Sequence, residues 1–337
     1  MGGLNSEVMR LLRFAGVALA GFCFCIQAIP SRAQSQQASP LPRETIRVSV
    51  DRVNVGVIVT DAQGHFVEGL HREDFQVLDN GVEQSVTGFL PIEEPAQLVL
   101  LLECGPAAYF LRKSELHAAD SLLNSLSPAD RVAIASYSKE PELLLDFTSD
   151  KSEARLTLYD VNFMAGFSQL NLSSSVAATL DWLMSVPGKK SIVLLSTGVD
   201  TSSPETWEIL RRKLNTSDIR LLAVSVSGDL RKPAKGRKLS HDEKSDRIVV
   251  KQVFAQADQS LRALSEATGG RVYFPRNTKE FDRAYSEIAQ LVRHEYSLAF
   301  VPPSHDDRLH SIEVKVKRSS YRVDHRQAYL APPPDPQ

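Results

Sequence analysis

The most constraining feature of this sequence is a run of apolar residues, Leu98-Val99-Leu100-Leu101-Leu102, with no polar residue alternating through it. A strand with one face in water alternates with a period of two, whereas an unbroken apolar run belongs to a strand covered on both faces, as in a parallel sheet flanked by helices. Two more runs of this kind follow, Ser191-Ile192-Val193-Leu194-Leu195 and Leu221-Leu222-Ala223-Val224, with strands expected at Arg131-Val132-Ala133-Ile134-Ala135-Ser136-Tyr137 and near 143–147. Helical patterns fall between them, at about 112–126 and 173–184, and behind the start signal Ser203-Pro204-Glu205. A helix over 253–268, the stop Gly269-Gly270, a short strand Arg271-Val272-Tyr273 and a helix over 278–294 complete the series. Strands alternating with helices predict a doubly wound, mostly parallel α/β domain over residues 97–294.

The segments on either side carry a different pattern. Ile46-Arg47-Val48-Ser49-Val50 and Val53-Asn54-Val55-Gly56-Val57-Ile58-Val59 alternate like half-buried strands, and Asp79-Asn80-Gly81 is expected to join Phe75-Gln76-Val77-Leu78 to Ser85-Val86-Thr87-Gly88-Phe89 as a hairpin. Beyond the α/β domain, Tyr296-Ser297-Leu298-Ala299-Phe300-Val301, Ser311-Ile312-Glu313-Val314-Lys315-Val316-Lys317 and Tyr321-Arg322-Val323 return to strand pattern. Neither set is large enough to stand alone, so residues 44–94 and 295–330 are expected to form one small β-sandwich into which the α/β domain is inserted.

Three stretches read as outside these cores. Arg10 and Arg13 precede an apolar run from Phe14 to Ala28, followed by Pro30 and Ser31-Arg32-Ala33, which predicts a secretory signal peptide over 1–33. The run is too short for the roughly 20 residues of a spanning helix, so membrane contact is expected only through this segment if it stays uncleaved. Cys23 and Cys25 each follow a Phe, unlike lipid-modified cysteines, and leave with the signal; Cys104 then stands alone and no internal disulfide can form. Residues 34–43 form a Gln/Ser/Pro leader and 331–337 a Pro-rich tail. The stretch 227–252 is read as a long polar loop, either a solvated insertion or a docking patch for an acidic partner. Without the first 33 residues, which carry Arg10, Arg13 and Arg32 against Glu7, the chain holds 36 basic and 40 acidic residues, a net charge of −4 that speaks against nucleic acid as a partner.

The strand ending at Glu103 and the segment Ser191 to Asp200 resemble the first and fourth strands of a von Willebrand factor type A domain. The flanking segments Val57-Ile58-Val59-Thr60-Asp61-Ala62-Gln63-Gly64, Glu73-Asp74-Phe75-Gln76-Val77-Leu78-Asp79-Asn80-Gly81 and Tyr296-Ser297-Leu298-Ala299-Phe300-Val301-Pro302-Pro303 resemble a family of bacterial secreted proteins related to that domain. The resemblance implies a ligand crevice at the carboxyl ends of the strands, where a divalent cation is held by an Asp-x-Ser-x-Ser run, a Thr from a second loop and an Asp after the fourth strand. Here the run reads Glu103-Cys104-Gly105-Pro106-Ala107, Ser168 stands where the Thr is expected, and Thr197 replaces the second Asp, with Asp200 three residues on. The resemblance therefore implies a degenerate metal site. Glu103, Ser168 and Thr197 are its residual ligand candidates for Mg²⁺ or Mn²⁺, while Glu103, Cys104, Gly105, Tyr109, Ser168, Thr197 and Asp200 are expected to line a persisting crevice.

Motifs for catalysis are missing: there is no His-Glu-x-x-His, phosphate loop, nucleophile elbow or paired-cysteine spacing. His294-Glu295 is read as an exposed helix end, and His305, Asp306, Asp307 and His310 as a solvated turn. Cys104 is read as an inert thiol, with a thiol hydrolase as the competing reading. Trp182 and Trp207 are expected to pack helices, and Tyr109 and Phe110 to rim the crevice. The expectation is an exported, secreted or periplasmic, non-enzymatic protein that binds another protein in adhesion or scaffolding, without a cofactor; the alternative is a cation-dependent adhesion module.

Overall fold

The computed structural model describes residues 39–40, 52–105, 116, 119–163, 169–228, 241–317 and 320–331. Its central sheet has seven strands in the order β1-β8-β7-β6-β9-β10-β11: β1 Ser39–Pro40, β6 Ala96–Glu103, β7 Arg131–Tyr137, β8 Pro141–Thr148, β9 Lys189–Ser196, β10 Arg220–Ser225 and β11 Val272–Tyr273. β7, β6, β9, β10 and β11 run parallel, while at one edge β8 pairs antiparallel with β7 and β1 antiparallel with β8. The apolar run behaves as its lack of alternation requires. Leu98, Leu100 and Leu102 enter one hydrophobic cluster with Leu116, Ala119, Leu122, Leu123 and Leu126, Ala154 and Leu158 of α2 (Lys151–Asp160), and Phe281, Tyr285, Ile288 and Val292 of α6 (Thr278–Arg293). Val99 and Leu101 enter the other, with α3 (Leu172–Met184), α4 (Pro204–Thr216) and α5 (His241–Ala267). Residues 119–125, labelled α1, complete the helices of the first face.

Two antiparallel sheets of four strands flank this unit. One has the order β14-β2-β12-β5, with β2 Val53–Thr60, β5 Val86–Leu90, β12 Glu295–Phe300 and β14 Arg322–Asp324. The other runs β15-β13-β3-β4, with β3 Phe75–Asp79, β4 Val82–Gln84, β13 Leu309–Val316 and β15 Ala328–Leu330. Each combines strands from before and after the α/β unit. Val55 and Val57 of β2, Val77 of β3, Leu298 and Phe300 of β12 and Ile312 and Val314 of β13 share one apolar cluster.

Several expectations need correction. The tight turn holds only Asn80 and Gly81, both at positive φ (48° and 81°), so β3 pairs with β4, Asp79 opposite Val82, and not with 85–89. β5 instead crosses to the other sheet and pairs with β12. α2 was not anticipated; Asp150 caps it by accepting from the Ser152 and Glu153 amides, but exposed Leu156 and Tyr159 blur its apolar stripe. Residues 241–252, read as the end of a polar loop, are the first turns of α5; the charged run from Asp242 to Arg247 carries no apolar periodicity that would mark a helix in the sequence. Within the expected leader 34–43, Ser39 and Pro40 are not loose: they form β1 and pair with Leu143 and Glu142 of β8. The rest of the leader, the signal segment, the expected strand 46–50, 229–240 and 332–337 lie outside the described residues.

Glu295 is no exposed helix end. It begins β12 with its side chain 7% exposed, and its Oε2 lies 2.6 Å from Nε of Arg220 at the start of β10. The same Arg220 donates to the carbonyls of Gly56 (3.1 Å) and Gly269, and Lys189 donates to the carbonyls of Ile92 (2.8 Å) and Glu295 (3.3 Å). Arg326, also buried, donates to the Asn54 and Ser217 carbonyls. Gly56 leaves room for this arrangement, for a Cβ there would lie 1.9 Å from the Glu295 carboxylate. These buried cations bind the flanking strands to the edge of the α/β unit.

Candidate functional site

The strand ends of a doubly wound sheet form its crest. Pairing places Glu103 of β6 opposite Tyr137 of β7, and Ser196 of β9 opposite Ser225 of β10. Glu103 is 1% exposed, and its carboxylate is met entirely by neighbouring protein groups. Oε2 accepts from the Ser196 hydroxyl and the Thr197 amide, each at 2.8 Å, and the Thr197 hydroxyl lies 2.9 Å from both carboxylate oxygens. The Tyr137 hydroxyl, 3.3 Å from Oε2, donates its proton to Ser196 Oγ at 2.8 Å, which also accepts from the Gly198 amide. Burial pushes the Glu103 pKa up, with the bonds from Thr197, Ser196 and Tyr137 pulling against it. The Tyr137 pKa is raised well above its usual value, first by burial and then by the Glu103 charge.

The remaining candidate residues are used differently. A Cβ on Gly105 would fall 2.6 Å from Leu170 Cδ2, so Leu170 fills the space where a larger residue would project. Leu170 is held there by Thr201, whose hydroxyl accepts from the Leu170 amide (3.0 Å) and whose own amide donates to the Leu170 carbonyl (2.7 Å). Asp200 does not fold back to Glu103. Its Oδ2 accepts from the Ser173 amide (3.1 Å) in the first turn of α3 and its Oδ1 from the Ser202 amide (2.9 Å), supplying the cap that the N-cap residue Asn171 does not give with its own side chain. Cys104 is 5% exposed among the apolar residues of the opposite cluster, and its amide donates to the Tyr137 carbonyl. Tyr109 and Ser168 lie outside the described residues. Glu103 and Thr197 are thus brought together, Asp200 is drawn to a helix end, and the Glu103 side chain is buried among its neighbours.

The site residues missed in the sequence are Tyr137, Leu170 and Thr201. Tyr137 carried a signal, as the last residue of a strand whose neighbour ends in a carboxylate; Leu170 and Thr201 meet only through two loops. A cation such as Mg²⁺ takes about six oxygens. Among the described residues, no group of three or more His, Cys, Asp or Glu side chains is arranged to hold a metal ion.

A second polar array lies in the flanking sheets and corrects the reading of His310 as part of a solvated turn, while Asp306 and Asp307 are exposed as that reading has them. His310 is buried, with Nδ1 2.8 Å from Asp79 Oδ1 and Nε2 3.2 Å from Asp306 Oδ1, and the Tyr329 hydroxyl donates to Asp79 Oδ2 at 2.9 Å. Asp79 itself is 1% exposed. His294 too is largely covered, stacked on Phe66 with ring centroids 4.3 Å apart.

No family model and no curated protein matches the sequence. Solved structures similar to the chain include von Willebrand factor type A from Catenulispora acidiphila (10% identity, TM-score 0.45, covering 76% of this chain and 72% of that one). An aerotolerance-related membrane protein from Bacteroides fragilis (12%, 0.45, 58% and 98%) and the conserved hypothetical protein BatB from Bacteroides thetaiotaomicron (11%, 0.43, 59% and 99%) are also similar.

Proposed function

We propose that this chain is an exported, non-enzymatic protein-binding module, serving adhesion or scaffolding at the cell envelope, whose α/β unit works without a divalent cation. The observation that carries the proposal is the saturation of Glu103: each carboxylate oxygen already accepts from hydroxyl or amide groups at 2.8–2.9 Å, and Leu170 covers Gly105 beside it. A cation at that place would have to displace these donors and expel a leucine, with one carboxylate to repay the dehydration. The buried thiol of Cys104 and the mutually satisfied hydroxyls present no group to a substrate, which supports a binding role over chemistry. In this reading residues 1–33 direct export, and the two flanking sheets close face to face as a sandwich around their shared cluster, carrying the α/β unit as an insertion. Among the described residues no helix is long and apolar enough to cross a membrane. Calorimetric titration of the intact protein with Mg²⁺ and Mn²⁺ tests the central point. No saturable heat is expected; micromolar binding that disappears in Glu103→Ala would overturn the cation-free reading and leave the cation-dependent alternative.

A further inference from the structure

We propose that the outer edge of β5 is a strand-acceptor site for an extended segment of a partner protein, one whose uncharged middle is flanked by basic residues. This surface lies in the flanking sheets, away from the crest, and the proposal stands whether or not a cation binds there.

Terminal strands of sheets are normally blunted by shortness, charge or proline, because their unpaired amides and carbonyls accept a further strand. Among the described residues, three of the four terminal strands in the flanking sheets follow that rule. β14 and β4 are three residues long and carry Arg322 with Asp324 and Glu83 respectively, and β15 is also three residues long. β5 departs from it, with five residues, Val86-Thr87-Gly88-Phe89-Leu90, and neither charge nor proline among them. It pairs with β12 on one side and, among the described residues, ends the sheet on the other.

A shallow, open concavity of about 400 Å³ is lined by Thr87, Gly88 and Phe89 of this strand together with His71, Arg72 and Glu73. Its apolar wall is anchored, for the Phe89 ring lies 6.0 Å from both Phe75 and Tyr296. Strand addition uses such a combination: backbone hydrogen bonds along the edge, and a neighbouring recess for alternate side chains.

Charge selects the occupant. Glu83 precedes the strand, Glu93 and Glu94 follow it, and all three are exposed, whereas Arg72 is already paired with Glu73 at 3.3 Å. Both ends of the edge are therefore acidic, and basic flanks on an incoming strand are favoured in either orientation. A second copy is disfavoured for the same reason: antiparallel self-pairing about Gly88 brings the Glu93–Glu94 end of one copy toward the Glu83 end of the other, and like charges repel.

The test uses the intact protein and a synthetic peptide of alternating valine and threonine with two lysines at each end. Binding is read by fluorescence anisotropy and the edge by amide hydrogen exchange. The peptide is expected to bind saturably and slow exchange within 86–90, and a glutamate-flanked version to bind about tenfold more weakly or worse. Thr87→Lys, at an exposed position, and the pair Glu93→Lys/Glu94→Lys, outside the strand, are each expected to weaken binding about tenfold with unchanged melting temperature. Absence of saturable binding at millimolar peptide overturns the proposal, as does binding indifferent to both variants. So does an edge whose amides are all protected in the free chain, or one protected only through concentration-dependent dimerisation.

Discussion

Glu103 is a buried carboxylate that its neighbours hold by hydrogen bonds alone. Because burial raises its pKa, the folded protein binds the proton more tightly than the unfolded chain does. Stability then falls as pH climbs from the ordinary carboxylate value of 4.5 toward the raised folded value, by at most about 1.4 kcal/mol per pH unit. Glutamine mimics the protonated acid. Its amide oxygen can take the place of Oε2 and accept from Ser196 and the Thr197 amide, while its nitrogen donates to Thr197 Oγ1 where Oε1 now lies. Glu103→Gln is therefore expected to match the wild type near pH 4.5 and exceed it increasingly above, whereas Glu103→Ala strands the Ser196 and Thr197 donors and costs about 3 kcal/mol. Urea unfolding of the three proteins from pH 4.5 to 8 checks both. A Gln variant less stable than wild type at pH 8 would mean that the charged form is the one the site was built for.

At the scale of elements, α3 begins against a loop from another strand. Its N-cap Asn171 is turned away, donating to the Lys139 carbonyl at 2.8 Å, and Asp200 supplies the missing acceptor at the Ser173 amide. Asp200→Ala is expected to cost about 1 kcal/mol, the usual worth of a side-chain cap, and Asp200→Asn distinctly less, as read from denaturant midpoints. Asp200 also marks the limit of what could be read in the chain. Apolar runs such as 98–102 declared the buried strands, and Ser203-Pro204 declared α4, because those signals are local and strong. Residues 241–252 gave no periodic signal, since the first six of them are polar or charged and Ile248, Val249 and Val250 are consecutive and not spaced three or four apart. The crossing of β5 into the second sheet was hidden because a two-residue turn at Asn80-Gly81 and a longer hairpin share the same motif. At the site, Glu103 and Thr197 were legible from their strand ends. The use of Asp200 as a cap and of Leu170 as a cover was not, because each depends on two loops meeting.

In the molecule as a whole, the flanking sheets and the α/β unit are joined by buried charge. Arg220 opens β10 of the central sheet and Glu295 opens β12 of a flanking one, and their side chains are 3% and 7% exposed. Arg220 also serves carbonyls of β2 and of the turn after α5. Such a pair gains little over an apolar substitute, because two dehydrated ions offset most of their attraction, but losing one partner leaves the other charge buried and unanswered. Arg220→Met and Glu295→Leu are each expected to cost about 3–5 kcal/mol. The double variant should cost less than either single one, retaining only the loss of donors to Gly56 and Gly269. If this contact couples the two parts, the single variants should also separate one cooperative unfolding transition into two, with the flanking sheets melting first, while the double variant restores a single transition. Differential scanning calorimetry of the four proteins reads both quantities. Additive costs with a single transition throughout would show that the apolar contacts join the sheets to the α/β unit, with Arg220 and Glu295 a passenger pair.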